Sequence, residues 1–445
     1  MTYRIAIVGS GIAGLSAAHH LNKHPNLEIA LFEAGDYFGG HTHTVDVVGN
    51  TSTGIQSYPV DTGFLVFNER TYPKLIALFE ELKIPSAYSD MSFSVQAPKD
   101  KTSKLEWSGS SINSVFAQRS NIVSKSFLLM LKDILRFNSL TTRLAQTPNS
   151  LDMGVPLHAF LEKNNFNSQF INWYLLPMLG CIWSCPPDQM LEFPVATMIR
   201  FCHNHGLLQI ANRPKWFTVA GGAKQYVSAI TEQLSRKHLN SPVLNVKRSG
   251  QKITLTTQNK QEDFDRLIIA THADQALNML ESASSDESRL LGSFKFQDNV
   301  AILHKDASVL PSKPLAWAAW NFESALLSAP SSAQNSISTG LDLKSNVCLH
   351  YYLNKLQPLP FTEPIVVSLN PLRDINPSKI SASFNYSHPI FDLSTIKAQQ
   401  EMHQIQGHLN TWYAGAWLGY GFHEDGLKAG EAAAKGVLES IEGNL

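Results

Sequence analysis

Residues 3–21 read YRIAIVGSGIAGLSAAHHL: an apolar strand at 5–8, a turn with glycines at 9, 11 and 14, and a helix over 13–23. In such a G-x-G-x-x-G turn the first glycine permits the tight bend and the second lets the backbone approach a pyrophosphate. The third lets helix and strand pack closely. The helix N-terminus then offers free N–H groups and a partial positive charge to phosphate oxygens. A second strand, 29–33, ends on Glu33, about twenty residues downstream, where a carboxylate can accept both hydroxyls of an adenosine ribose. The spacing predicts a βαβ nucleotide-binding unit and leaves open whether its nucleotide carries a nicotinamide or a flavin.

Outward from that unit, strand-like and helical stretches alternate. Residues 74–210 read mainly as helices, with apolar residues at helical spacing in YPKLIALFEELKI, SFLLMLKDILRFNSL, PLHAFLEKNNF and FINWYLLPML. Nucleotide-domain character returns at WFTVAGGAKQYV, and strands dominate 292–395, including NVAILH, VCLHYYL and PIVVSL. We therefore expect an α/β protein in which a Rossmann-like domain with a parallel sheet is interleaved with a mixed α+β substrate domain. The first comprises 1–73, 211–291 and 405–445, and the second 74–210 and 292–404.

At 445 residues the chain can bury a large site. Lys+Arg 36 against Asp+Glu 37 gives a net charge of -1, which supplies no field for nucleic acid. No run approaches the ~18 apolar residues of a membrane span and no signal-peptide layout leads the chain, so the expected location is the cytoplasm. Cys181, Cys185, Cys202, His203 and His205 can be drawn as a zinc site. Their neighbours Ile182, Trp183 and Phe201 favour buried thiols instead, and no metal is expected.

From EAGDYFGGHTHTV (33–45) onward the sequence resembles the flavin-containing amine oxidase superfamily. Gly39 and Gly40 match its second glycine turn, although His41 stands where the family commonly has arginine. VDTGFLVFN (60–68), with Asp61 and Gly63, and VAGGAKQYV (219–227), with Gly221 and Gly222, match further blocks, and FHEDGLKAGEAAA (422–434) resembles its flavin-binding ending. The resemblance implies non-covalent FAD as the cofactor. The cofactor-binding residues it points to are Gly9, Gly11, Ile12, Ala13, Gly14, Glu33, Ala34, Gly39, Gly40, His41, Thr42, Gly63, Gly415, Glu424, Asp425 and Gly426, with Gly430 in the C-terminal pattern and Val243 or Val246 against adenine. FGGHTHTV, IWSCPPDQMLEFP and WLGYGFHEDGL narrow the likeness to a bacterial branch of predicted NAD/FAD-binding oxidoreductases associated with cyclopropane-fatty-acid synthase-like enzymes. This implies a hydrophobic or lipid acyl substrate and such an enzyme as partner.

The lysine that many relatives hold near the flavin has no counterpart in register: NVAILH begins at Asn299, with Lys295 and Lys305 to either side. The expected activity is therefore an FAD-dependent change at a C–C bond of an acyl chain, by desaturation, saturation or isomerisation. An amine oxidase releasing peroxide and a non-catalytic FAD-bound partner of a lipid enzyme stand as alternatives. His423 and Glu424 are the acid/base candidates, followed by His41, His205 and His388. Trp183, Trp216, Trp317, Trp320, Tyr420 and Phe422 are expected to line the substrate space, with Trp417 a further candidate. The stretch SKSFLLMLKDILRFNSLTTRL sets Lys125, Lys132, Arg136 and Arg143 beside Phe127, Leu128, Leu131, Leu135 and Phe137, a pattern that suits peripheral contact with the inner face of a membrane.

Overall fold

A computed structural model describes residues 2–99, 103–147, 155–209, 213–250, 252–324 and 347–442. Its centre is a five-stranded, wholly parallel sheet in the order Arg236–His238, Leu27–Phe32, Tyr3–Val8, Arg266–Ile269, Thr411–Tyr413. Tyr3–Val8 is its middle strand, and Ile5, Ala6 and Ile7 are buried because helices and a small antiparallel sheet cover the two faces. The helix Ile12–Leu21 follows at once and packs along the C-terminal helix His423–Glu442. Gly430 makes that approach close, since a Cβ there would stand 2.1 Å from the Ala13 carbonyl oxygen.

A separate seven-stranded sheet runs Ile380–Ile390, Lys295–His304, Val366–Leu369, Cys348–Tyr352, Trp320–Glu323, Phe93–Pro98, Lys104–Ser108. It is antiparallel except where Trp320–Glu323 pairs in parallel with Phe93–Pro98. One face packs on the helical region in a single apolar core that includes Phe322 and Leu349 from the strands and Leu176 and Leu179 from the helices. The region 74–210 is thus less helical than its apolar periodicity predicts. Ser86–Ser89, Phe93–Pro98 and Lys104–Ser108 are strands, and the last two form an edge of the large sheet. Short runs such as FSVQAP carry too few residues to show a period, so long-range pairing decides their conformation.

The helix Lys125–Gln146 forms as expected and buries Phe127, Met130 and Phe137, while Leu128, Leu129 and Leu135 stay exposed. Among the described residues no helix is long and apolar enough to cross a membrane.

Candidate active site

The glycine turn shows on backbone grounds why these residues are glycines. Gly9 holds φ at +100°, a value that side-chain-bearing residues rarely adopt, and a Cβ on it would lie 2.6 Å from the Ala270 carbonyl oxygen. A Cβ on Gly14 would lie 1.9 Å from the Gly9 carbonyl oxygen. Gly11 is different: a Cβ there meets nothing within 4 Å and would project into open space. This is the geometry of a backbone held ready for close approach by a phosphate group. The second turn sits directly against the first, with Gly40 placed so that a Cβ would be 3.1 Å from the Gly11 Cα. Glu33 is fixed at the end of its strand, accepting from the Ser10 N–H at 3.0 Å, the Ser10 hydroxyl at 2.5 Å and the Gly35 N–H at 2.8 Å.

Both turns open on one cavity of about 800 Å³ that continues from the parallel sheet to the large sheet and the helices beneath it. The nucleotide end is walled by Gly9, Gly11, Ile12, Ala13, Glu33, Ala34, Gly39, Gly40, His41, Gly63, Val243 and Gly415. The far end is walled by Leu65, Met91, Phe93, Met178, Phe201, Leu207, Trp216, Trp320 and Phe422. Ile171–Leu175 winds into the helix Leu176–Trp183, which ends at Ser184 in the left-handed conformation and turns Met178, Cys181 and Ile182 to this end. Among the described lining residues there is no lysine or arginine, and Glu33 is the sole carboxylate.

Several expected site residues do other work. Glu424 does not face the cavity. Its carboxylate accepts from the Lys74 and Leu75 N–H groups at 3.1 and 3.0 Å, capping the helix Pro73–Glu81, and meets the Lys428 ammonium at 3.3 Å. Asp425 accepts from the Tyr420 and Phe422 N–H groups and shapes the turn before the last helix. Gly426 is a packing position, where a Cβ would reach Ile12 at 2.7 Å, and Gly14 likewise serves the helix–strand contact. Val246 lies in the core with Ile253 and Leu255, while Val243 and Leu244 of the same strand line the cavity. Asp61 caps the helix Lys224–Thr231, accepting from the Ala223 N–H and the Thr44 hydroxyl, and burial pushes its carboxyl up to about 6.

Trp183 is packed between Phe193 and Phe201, Trp317 donates to the Pro311 carbonyl beside Tyr352, and Tyr420 rests on Phe201. None of these three reaches the cavity wall, whereas Trp216, Trp320, Trp417 and Phe422 do.

His423 lines the cavity, yet it is held fast. Its Nε2 contacts the Thr42 and Tyr226 hydroxyls, each at 2.9 Å, its ring stacks on Phe64, and burial drives it down to about 3. Thr42 therefore anchors His423 rather than facing the cavity. A ring so placed stays neutral and positions its neighbours. His205 is better placed for proton transfer at the apolar end. Its Nδ1 donates to the Phe201 carbonyl at 3.0 Å, which leaves Nε2 with a free lone pair, and burial lowers the ring to about 4.

Lys295 pairs with Asp392 at the surface, and Lys305 pairs with Glu363 and the Val48 carbonyl, so neither enters the cavity. Cys181, Cys185 and Cys202 are buried free thiols pushed up by burial, and they do not converge with His203 and His205 as metal donors. The donors that do converge are Glu323, Cys348 and His350, but Arg373 and Lys104 already neutralise Glu323. Sequence reasoning missed His272, Tyr72 and Asn278 on the wall. His272 follows a recognisable strand, and its position directly after an apolar run ending in Ala270-Thr271 was the available signal.

A parallel sheet with a glycine-rich first turn, a fixed acid on the second strand and one long cavity defines a dinucleotide-binding oxidoreductase fold. The family model for flavin containing amine oxidoreductase matches residues 12–303, and the chain belongs to that family. It is an FAD-dependent oxidoreductase of the amine oxidase type. Among solved structures it is similar to cyclohexylamine oxidase from Brevibacterium oxydans, at 14% identity and TM-score 0.67, over 99% of this chain and 100% of that one. A CLA-producing fatty acid isomerase from P. acnes matches at 13% identity and TM-score 0.64, over 97% and 98%. Putrescine oxidase matches at 14% and 0.66, over 99% of each. These likenesses show the fold. No curated protein sequence matches the chain. The residues present fit FAD: Gly11 leaves an open slot in the first turn, and Glu33 stands at the ribose position with the cavity running on beyond.

Proposed function

We propose that the protein acts on a C–C bond of a neutral lipid acyl chain, by desaturation, saturation or isomerisation. The observation that carries this reading is the apolar end of the cavity, where no described residue bears a formal charge. A protonated amine buried there would find no carboxylate, and Tyr420 and Phe422 do not form a pair of facing rings, since only Phe422 lies on the wall. A free fatty acid carboxylate would find no cation either. An esterified chain, with its headgroup left outside, meets neither cost.

FAD, when bound, supplies a hydride acceptor or donor. The chain's own part is to exclude water with Met178, Leu207, Trp216 and Trp320, to orient the chain along Phe201 and Phe422, and to hold a lone pair at His205 Nε2 for an allylic or α proton. We further propose that substrate enters from an anionic bilayer, against which the exposed Val123, Leu128, Leu129 and Leu135 would rest with Lys125 and Lys132. Cytoplasmic location and a cyclopropane-fatty-acid synthase-like partner belong to the same proposal. So does non-covalent retention of FAD, Cys181 being the sole cysteine among the described lining residues.

The test is the visible spectrum of the purified holoprotein, without oxygen, before and after addition of unsaturated phospholipid vesicles. Bleaching of the flavin band, or a shifted double bond in the recovered lipid without bleaching, supports the reading. An unbleached band with unaltered lipid, together with peroxide released from amines in air, overturns it in favour of amine oxidation.

A further inference from the structure

FAD carries a diphosphate, and the cavity that takes it has no described lysine or arginine on its wall. Backbone N–H groups and the N-terminus of the helix Ile12–Leu21 supply partial charge only. Glu33 adds a negative charge at the same end. What the wall does contain there is a group of three histidines. His41 follows the turn that lies on Gly11, and His272 follows Ala270, whose carbonyl lies on Gly9. His388 completes the group. The His41 ring is 5.3 Å from that of His388 and 6.4 Å from that of His272.

The three rings differ in how they are held. His41 stacks on Tyr386, and its buried Nε2 has no hydrogen-bond partner. Asn299 donates to His388 Nδ1 at 2.8 Å, while the same amide donates to the Gln297 carbonyl and accepts from Asn370. His388 therefore carries its proton on Nε2. His272 stacks flat on Phe296. The other groups that face the cluster are His423 toward His41, and Asp274 and Asp298 toward His272. Asp274 and Asp298 favour a charge on His272, and His423 and the mutual proximity of the three rings oppose more than one charge.

We propose that His41, His272 and His388 act together as the counter-charge of the FAD diphosphate, taking up about one proton as FAD binds, so that cofactor affinity weakens as pH rises. Burial keeps all three rings neutral in the cavity itself, with His388 lowered to about 4 and His41 well below its ordinary value, so a proton is available to be gained. The sign follows from linkage. A ring whose proton is held more tightly with FAD than without it adds affinity below its pKa in the complex, and that affinity is lost as pH rises through it. The diphosphate diester and the flavin ring have no group that titrates near neutral pH, so a slope there belongs to the protein.

The experiment is equilibrium release of FAD from the diluted holoprotein, read as free-flavin fluorescence. The expected result is a dissociation constant that rises up to about tenfold per pH unit across the range from about pH 6 to about pH 8. His41→Arg supplies a permanent charge and should flatten that slope while keeping FAD bound. His41→Gln should weaken binding most at the acidic end. A flat wild-type profile overturns the proposal, as does a slope that persists when His41, His272 and His388 are all changed to Gln. Should a variant fold poorly, the wild-type slope, and the ring charges read by NMR of histidine-labelled holoprotein, still decide the matter.

Discussion

The two ends of the cavity are made from different parts of the polypeptide. At the nucleotide end the wall is largely backbone, set by glycines close together in sequence: Gly9 and Gly11, then Gly39 and Gly40. At the far end it is side chains, brought together from residues 65–66, 91–93, 178–184, 201–207, 216 and 320. Where the nucleotide-end backbone packs on backbone, as at Gly9 and Gly39, it tolerates no added atom, because the chain around it has no rotamer with which to yield. A side-chain wall can repack, so its changes should alter which substrate fits before they alter whether the protein folds.

The largest effect is expected at Gly14. Gly14→Val places a Cβ against the Gly9 carbonyl, and we expect loss of bound flavin with destabilisation of roughly 3 kcal/mol or more, read as the flavin-to-protein absorbance ratio and the Tm. At the other end, His205→Gln keeps a polar group of similar size but removes the base. Turnover should fall by about 10²-fold or more with flavin content unchanged. The pH profile sharpens this assignment. The neutral ring is the active form, so activity should hold from neutral pH downward and be lost as pH falls through about 4.

Trp320→Ala should be milder, raising KM for an acyl substrate by about tenfold while the spectrum of the bound flavin stays the same. Glu424→Ala tests the boundary between the two ends. It leaves the Lys74 and Leu75 N–H groups without their acceptor and should cost about 1–2 kcal/mol in denaturant unfolding, with turnover of the flavin-saturated enzyme unaffected. The smallest effect is expected at the surface, where Leu128→Ser with Leu135→Ser should leave the free energy of unfolding in denaturant within about 1 kcal/mol of wild type and reduce co-sedimentation with anionic vesicles.

Legibility in the sequence follows the same division. Gly9, Gly11, Glu33, Gly39 and Gly40 could be assigned to a nucleotide end because a local turn has local rules, and each of them lines the cavity. Glu424 and Asp61 show why an acid in such a block is ambiguous. An acid beside a glycine turn can equally face a ligand or cap a helix, and only the position of the helices Pro73–Glu81 and Lys224–Thr231 chooses between these. Among the tryptophans, composition alone could not separate Trp216 and Trp320 from Trp183 and Trp317. All four satisfy the same apolar demand, and the wall is defined by what lies opposite. The strand Phe93–Pro98 is hidden because a short strand owes its conformation to a partner, here Trp320–Glu323, more than two hundred residues away, and Lys104–Ser108 pairs in turn with Phe93–Pro98.

By itself the sequence determined the parallel nucleotide-binding core and its place along the chain, because those features depend on glycine geometry and strand–helix alternation within short spans, while FAD rather than a nicotinamide nucleotide followed from the family resemblance of its later blocks. The tertiary structure alone decided that no lysine or arginine stands among the described residues of the cavity wall, that His423 is immobilised while His205 keeps a lone pair, and that His41, His272 and His388 meet. Charge balance and proton position at a buried site depend on which groups lie within a few ångströms and on how far water is excluded, and neither is a property of neighbouring positions in the chain.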